Sequence, residues 1–496
     1  MLSSKSLPAA VWIGLLGISL PTTALGAPPA PAPAGAQVGA ARPSAGQRAI
    51  HALGAWVRAN GGQLSANAVE LSSGASRGSY SEKVALNPAS NMKVLTAAAV
   101  LAKLGPSYRF RTGLYGTRRG DKIEQLVLRG HGDPSLRVAE LWRLASALAD
   151  RGVKHVDAIL VDQSRFDAEF IPPGFDQQPK EWAAFRAPIS AVALERNTIT
   201  LNVAPGETGK AARSWYAPKG FVRSDGSVQT RAAGSGQRVL WSLHPHIHLR
   251  STLSGHIARG IGRVRFKKRV SDPRLYAGFV LKQLLEERGV PVHGVPVLGG
   301  ANVKGRLSYV ESARLGELVK ELGKRSDNFY AETFFKVLGA ETGTVPARSS
   351  DGARAIELWL RDIGAWHSGI IIKNGSGLFD TNRLSAHCIT TVLRHAHNDA
   401  RISPEFTAQL SVAGVDGTLR SRFPASRSSG QVRAKTGTLN RAIALSGYVL
   451  RPGSQQGIAF SFLVTGIGGQ HAAIRSRIDR AVKALQSDVG ALTSES

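Results

Sequence analysis

Ser90 and Lys93 stand three residues apart in the run Ser90-Asn91-Met92-Lys93-Val94-Leu95-Thr96-Ala97. On a helix this spacing places hydroxyl and amine on one face, within reach of each other. A lysine can take a seryl proton only when its own pKa is depressed, and burial beside a second cation does that. Two more short strings follow in order, Ser326-Asp327-Asn328 and Lys435-Thr436-Gly437-Thr438. An S-x-x-K string recurs by chance in a chain of this length; S-D-N and K-T-G in this order do not. Lys435 is the candidate second cation. Ser326 can relay a proton to a leaving amine, and the Asn328 amide can hold Lys93 or a substrate peptide. A helix N-terminus at Ser90 favours charge developing on its oxygen. The backbone N–H groups of Ser90 and Thr438 are placed to form an oxyanion hole, which needs two donors aimed at one point. The chemistry expected is acyl transfer through serine, with no metal and no cofactor.

These residues need elements to hold them. Alanine and leucine dominate the run after Ser90, and Gly105-Pro106 ends it, which predicts a buried helix starting near the serine. Apolar spacing predicts a first helix over 47–57, and a hairpin over 69–80 turns near Ser73-Gly74. Residues 108–298 read as short strands with helices only at 139–151 and 273–288. That is too much for one loop and implies one or two inserted domains. Helical periodicity returns over 315–322, 328–338 and 351–363, followed by strands at 431–436, 442–449 and 458–465 and a helix at 471–485. The pattern is α/β (α+β): helices on both faces of an antiparallel sheet. Ser90 and Ser326 then sit at helix starts and Lys435-Thr436-Gly437 at a strand end.

The bulk numbers narrow the setting. A chain of 496 residues, 43% hydrophobic and 20% charged, suits two or three globular domains. Cys388 is the single cysteine, so no internal disulfide and no cysteine-built zinc site can form. The net charge is +28, from 63 Lys and Arg against 35 Asp and Glu, and favours polyanions. Residues 1–27 have the pattern of a secretory signal: Lys5, an apolar run, then Ala24-Leu25-Gly26-Ala27 as a cleavage site near Gly26/Ala27. A Pro/Ala linker follows over 28–44. Export, to a periplasmic or envelope location, turns the expected polyanion from nucleic acid to an anionic envelope polymer. His244, His246 and His248 alternate as on a strand face, yet no carboxylate accompanies them and a solvated strand is expected there. The basic run 263–269 reads as a polyanion patch or a solvated strand. Cys388 reads as a core filler.

The three motifs are those of penicillin-binding proteins and class A β-lactamases. Flanking text resembles the D-alanyl-D-alanine carboxypeptidase/endopeptidase family, the class C low-molecular-mass penicillin-binding proteins. It includes Asn87-Pro88-Ala89-Ser90, Gly130-His131-Gly132-Asp133-Pro134-Ser135-Leu136, Ser326-Asp327-Asn328-Phe329-Tyr330-Ala331-Glu332, Asn374-Gly375-Ser376-Gly377-Leu378 and Leu445-Ser446-Gly447-Tyr448-Val449. The resemblance implies a β-lactamase/transpeptidase-like catalytic domain over 45–108 and 305–490, with two small β-rich insertions. One would be 109–127 with 195–304, the other 128–194 nested inside it. It implies catalytic roles for Ser90, Lys93, Ser326, Asn328 and Lys435, and binding of a terminal D-alanine carboxylate by Thr436, Gly437 and Thr438. Peptidoglycan stem peptides and cross-bridges are the implied substrates, β-lactams the acylating inhibitors, and no nucleic acid is involved. The chain departs from the family at Asn374, where Asp is usual, and at Phe379-Asp380, where Ser-Arg is usual. The resemblance therefore implies that a charge pair beside the site is absent, although Asn382 is kept. The segment Gln178-Pro179-Lys180-Glu181-Trp182 also differs where relatives contact the substrate's side-chain amine. Alternatives are a β-lactamase-like or esterase-like hydrolase, a non-catalytic wall-binding protein and a secreted nucleic-acid binder. A class A β-lactamase needs Glu-x-x-Leu-Asn between the second and third motifs, and 329–434 has none.

Overall fold

The computed structural model describes residues 43–423, 432–451, 453 and 456–491. The expected signal and all but the last two residues of the Pro/Ala linker lie outside the described residues. No helix among them is long and apolar enough to cross a membrane.

The principal sheet has six strands in the order Ser411–Val412, Val432–Leu439, Ala442–Leu450, Gly457–Thr465, Gln63–Glu70 and Ser76–Tyr80. All its pairings are antiparallel. The first strand of the chain therefore docks on the last, with Gln63 opposite Thr465 and Glu70 opposite Ile458. Both faces are covered, as expected. Helices Ala45–Ala59 and His471–Ala491 close one face, where Ile50, Leu53, Val57, Ile474 and Ile478 meet Leu445, Phe460 and Phe462. On the other, helices Met92–Leu104, Asn328–Glu341 and Ala386–Asn398 pack with Ala444, Tyr448, Ala459 and Leu463. Burying a leucine- or phenylalanine-sized side chain contributes about 1.5–3 kcal/mol, so the sheet centre is the rigid base of the molecule.

The hairpin starts at Gln63, six residues before the expected 69. Its first strand is Gln-Leu-Ser-Ala-Asn-Ala-Val-Glu, with few β-branched residues. Burial on both faces works because its polar members are bonded: Asn67 Nδ2 donates to Thr390 Oγ1 at 2.7 Å. The third motif lies inside its strand and not at the end, because pairing continues to Leu439 opposite Ala442. Helices Ala386–Asn398 and Ser403–Gln409 are additional to those expected.

The insertion holds three sheets. Lys122–Gly130 and His155–Asp162 run parallel through the crossover helix Val138–Asp150, flanked by Arg111–Tyr115 with Arg306–Glu311 on one side and Val297–Leu298 on the other. Thr198–Ala204 carries Arg213–Ala217 and Val264–Arg269 in a second sheet. A third contains Val222–Gly226, Gln229–Arg231, Gln237–His244 and Leu249–Ala258. All three contribute to one apolar cluster with helix Tyr276–Glu287. The first sheet thus joins strands from segments expected to be separate, because a parallel crossover needs both its strands in one sheet.

The three alternating histidines do not share a strand. His244 ends its strand, Pro245 cannot extend the ladder, and His246 and His248 fall in the turn. His248 packs on the Phe279 ring at 4.2 Å. In the basic run Arg263, Arg265 and Lys267 are exposed, while Lys268 and Arg269 are engaged by their neighbours. Lys268 Nζ donates to Trp241 O at 2.6 Å and lies 4.7 Å from that ring. Arg269 donates to Glu181 O at 3.0 Å and covers Trp182 at 5.3 Å. Cys388 is buried in the core as a free thiol, its pKa pushed up to about 12 by burial.

Candidate active site

Ser90 sits in a single helical turn, Ala89–Asn91, that leads into helix Met92–Leu104. Ala89 takes a left-handed φ of 46°, and Ser326 takes 55° at the start of the second motif. Such backbones cost on the order of 1–3 kcal/mol each for residues with a Cβ. They are fixed here by dense packing. Asn87 Oδ1 accepts the Ala89 N–H at 2.8 Å. Gly377, with φ 72°, passes so close that a Cβ on it would lie 1.8 Å from the Ala89 carbonyl oxygen. A Cβ at Gly437 would meet Pro88 O and Ala89 Cβ at 3.0 Å, so the third-motif strand also presses on this turn. Asn91, buried, ties the two together, with its amide nitrogen 2.7 Å from Lys435 O and its oxygen 3.2 Å from Leu445 N.

The structure brings all the expected site residues to this place. Lys93 Nζ lies 3.1 Å from Ser90 Oγ, 2.8 Å from Asn328 Oδ1 and 2.6 Å from Ser376 O. Lys435 Nζ lies 2.8 Å from Ser326 Oγ and 2.8 Å from its neighbour's carbonyl, Thr436 O. Both lysine side chains are fully buried. Burial brings the Lys93 amine down to about 7, against the opposing pull of the negative charges at Glu332 and Asp327. Lys435 is held well below the ordinary lysine range, first by burial and then by repulsion from Lys93. Burial, one of the two expected causes, lowers Lys93, and the repulsion between the two amines falls on Lys435. Two amines in one dry pocket disfavour double protonation, so a neutral amine is available at neutral pH.

Several residues had no motif to mark them. Glu332 lies wholly inside the protein, which raises its pKa, and accepts the N–H groups of Gly375 (3.0 Å) and Ser376 (2.8 Å). It thereby aims the Ser376 carbonyl at Lys93. Arg196 reaches across from the insertion to Glu321 (3.0 Å) and Asp327 (3.1 Å), with its guanidinium 5.1 Å from the Tyr330 ring. Phe185 O, also from the insertion, accepts from Asn328 Nδ2 at 3.1 Å. Arg475 of the terminal helix donates to Thr438 Oγ1 at 3.2 Å, and Thr436 Oγ1 donates to Thr418 Oγ1 at 2.8 Å. Beyond these threonines runs a groove of about 590 Å³ that Arg475, Arg480 and Lys483 make cationic. The pattern Arg475-x-x-x-x-Arg480-x-x-Lys483 on one helix was the only sequence signal for it.

The family departures also have a structural account. Asn374 is buried and donates to Pro173 O (2.9 Å) and Leu378 O (3.1 Å) while accepting from Gly377 N (2.9 Å). A neutral amide suits all three. A different ion pair, Asp380 with Arg383 at 2.6 Å, lies nearby on the surface. The 178–182 segment is anchored through Arg186, which donates to Gln178 O, and through Arg269.

A buried serine–lysine pair, a second serine–lysine pair beside it and a mixed fold of helices around an antiparallel sheet define a penicillin-binding and β-lactamase type of scaffold. Residues 56–487 match the D-Ala-D-Ala carboxypeptidase 3 (S13) family, and the chain belongs to it. It is a serine peptidase of that family. The chain is 32% identical over 405 residues to a D-alanyl-D-alanine carboxypeptidase of Actinomadura sp. (strain R39), covering 77% of this chain and 74% of the relative. It is 25% identical over 399 residues to the D-alanyl-D-alanine carboxypeptidase DacB of Haemophilus influenzae, covering 78% and 82%. The crystal structure of penicillin-binding protein 4 of H. influenzae shares the fold, with TM-score 0.72 and 21% identity over 86% of this chain and 98% of that one.

Proposed function

We propose that this enzyme hydrolyses D-alanyl peptide bonds of peptidoglycan stem peptides and cross-bridges through an acyl-enzyme on Ser90. The observation that carries this reading is the setting of Lys93 Nζ. A neutral amine has two hydrogens and one lone pair. Asn328 Oδ1 and Ser376 O are acceptors at 2.8 and 2.6 Å and take the two hydrogens. The lone pair is then left for the hydroxyl hydrogen of Ser90, 3.1 Å away.

Lys93 takes the Ser90 proton as Oγ attacks the carbonyl carbon of the penultimate D-alanine. The N–H groups of Ser90 and Thr438 receive the oxyanion. The leaving amine takes its proton by way of Ser326, which Lys435 orients. Thr436, Gly437 and Thr438 hold the carboxylate of the leaving residue, and the cationic groove beyond supports an anionic leaving portion. Water then enters, the same groups run in reverse, and the acid leaves. A β-lactam carries an equivalent strained amide and carboxylate, so it acylates Ser90 and stalls. We place the enzyme outside the cytoplasm, in the periplasm or envelope, after cleavage near Gly26/Ala27, with anionic envelope polymers as attractants for its excess charge. The insertion is read as two units within a catalytic domain of about 45–108 and 305–490. The grouping of strands favours placing the nested unit at Thr198–Arg269.

The test is release of free D-alanine from a peptide ending in D-Ala-D-Ala. The parent should release it and Ser90→Ala should not. A folded Ser90→Ala protein with parental turnover sinks the proposal.

A further inference from the structure

His155 and Asp157 alternate on the strand His155–Asp162, and so share a face. His293 stands beside them because the backbone of the next segment bridges to this strand. Its N–H donates to Val156 O at 3.1 Å, and the Gly294 N–H donates to Asp157 O at 3.0 Å. Backbone pairing thus fixes where all three side chains start, which is what a metal site needs from its scaffold. One donor atom from each of the three lies within 4.8 Å of the others. His155 Nε2 and Asp157 Oδ1 are 3.2 Å apart, and the two imidazole rings are 4.1 Å apart between centroids. Donors at 2.0–2.1 Å in a tetrahedral shell stand about 3.3 Å from each other, so one pair is already in place. A rotation of the His293 ring supplies the rest.

We infer that His155, Asp157 and His293 form a binding site for a zinc-like divalent cation, with its fourth position open to water. Two imidazoles and a carboxylate are a donor set that favours zinc over magnesium or calcium. Lys122 divides the carboxylate, holding Asp157 Oδ2 at 2.8 Å and leaving Oδ1 to face the histidines. A bond from the second oxygen of a ligating carboxylate is the usual way such a ligand is oriented. The site is independent of the catalytic machinery. It lies at the start of a strand whose other end, Asp162, turns back toward the catalytic helices; seven residues of strand span roughly 23 Å. Metal there pins the segment after helix Tyr276–Glu287 to the sheet, at the edge where Val297–Leu298 also pairs.

The experiment is titration of the full chain with zinc sulfate, read by calorimetry and by metal content after gel filtration. The account expects one equivalent bound. His155→Ala and His293→Ala should each weaken binding at least tenfold, while β-lactam acylation of Ser90 stays unchanged. Cobalt in place of zinc should give the intense visible absorption of a four-coordinate ion. Binding that survives both substitutions and disappears in His246→Ala would move the site to the other histidine hairpin and overturn the inference. Failure of the parent to bind zinc at 100 μM would overturn it as well, and loss of acylation in the variants would deny the independence argued here.

Discussion

Moving the enzyme from pH 9 to pH 5 should extinguish acylation of Ser90 through the titration of one amine. Lys93 must be neutral to accept the seryl proton, and burial places its pKa at about 7. The sign is that of a depressed base: the competent form grows as pH rises and saturates above the folded value. An ordinary exposed lysine, near 10.4, is neutral in only about one molecule in 2,500 at pH 7. In this pocket about half of the molecules are competent, a gain on the order of a thousandfold. With the same pKa the competent fraction falls to about one tenth at pH 6 and about one hundredth at pH 5. The assay is the rate of covalent labelling by a fluorescent penicillin at subsaturating concentration, followed by stopped flow. Labelling should lose roughly tenfold per pH unit below 7 and stay level from 8 to 9. Lys93→Arg, charged at every useful pH, should lose at least about a hundredfold throughout. A flat profile from pH 5 to 9, or parental labelling by the arginine variant, refutes the neutral-amine mechanism.

Other parts of the account make sharper local claims. Gly377→Ala drives a methyl group into the Ala89 carbonyl and should cut labelling at least tenfold, with a thermal midpoint lowered by several degrees; parental labelling would show that the Ser90 turn has room to move. Arg196→Met removes the ion pair to Asp327 in the second motif and a second one to Glu321, and should lower acylation about tenfold with little change in melting temperature. An unaltered rate would make Arg196 a surface residue only. Arg269→Ala should destabilise by about 1–3 kcal/mol, since Glu181 O and the Trp182 ring lose their partner, without weakening adhesion to wall sacculi. The reverse pattern, weak adhesion with unchanged melting, would restore the basic run as a polyanion patch.

The site was legible because its parts are local. Ser90 and Lys93 are three residues apart on one helix, and each of the other motifs is a contiguous string, so residue type and spacing carry the chemistry. The parts that were not legible are those the chain brings from afar. Glu332 sits four residues beyond Asn328 on the same helix, but its task depends on meeting Gly375 and Ser376. Arg196 has no local pattern, and only the folded insertion delivers it to Asp327. The same rule governs the fold. Strands with apolar runs, such as Ala442–Leu450, were placed to within a residue or so, whereas Gln63–Glu70 carries small and polar residues that only its neighbours make buriable. The histidine alternation misled for a related reason: a period of two holds on a strand, and Pro245 ended that strand first. A true convergence of histidines formed instead at positions 155 and 293, which no linear spacing connects.

The central claim is that Ser90 is the acylated nucleophile, and peptide mapping by mass spectrometry tests it most directly. The protein is incubated with benzylpenicillin, quenched, digested and sequenced. The account predicts one adduct per chain, on Ser90, and none on a folded Ser90→Ala variant. An adduct on Ser326 or any other residue, or one that persists in Ser90→Ala, would contradict it.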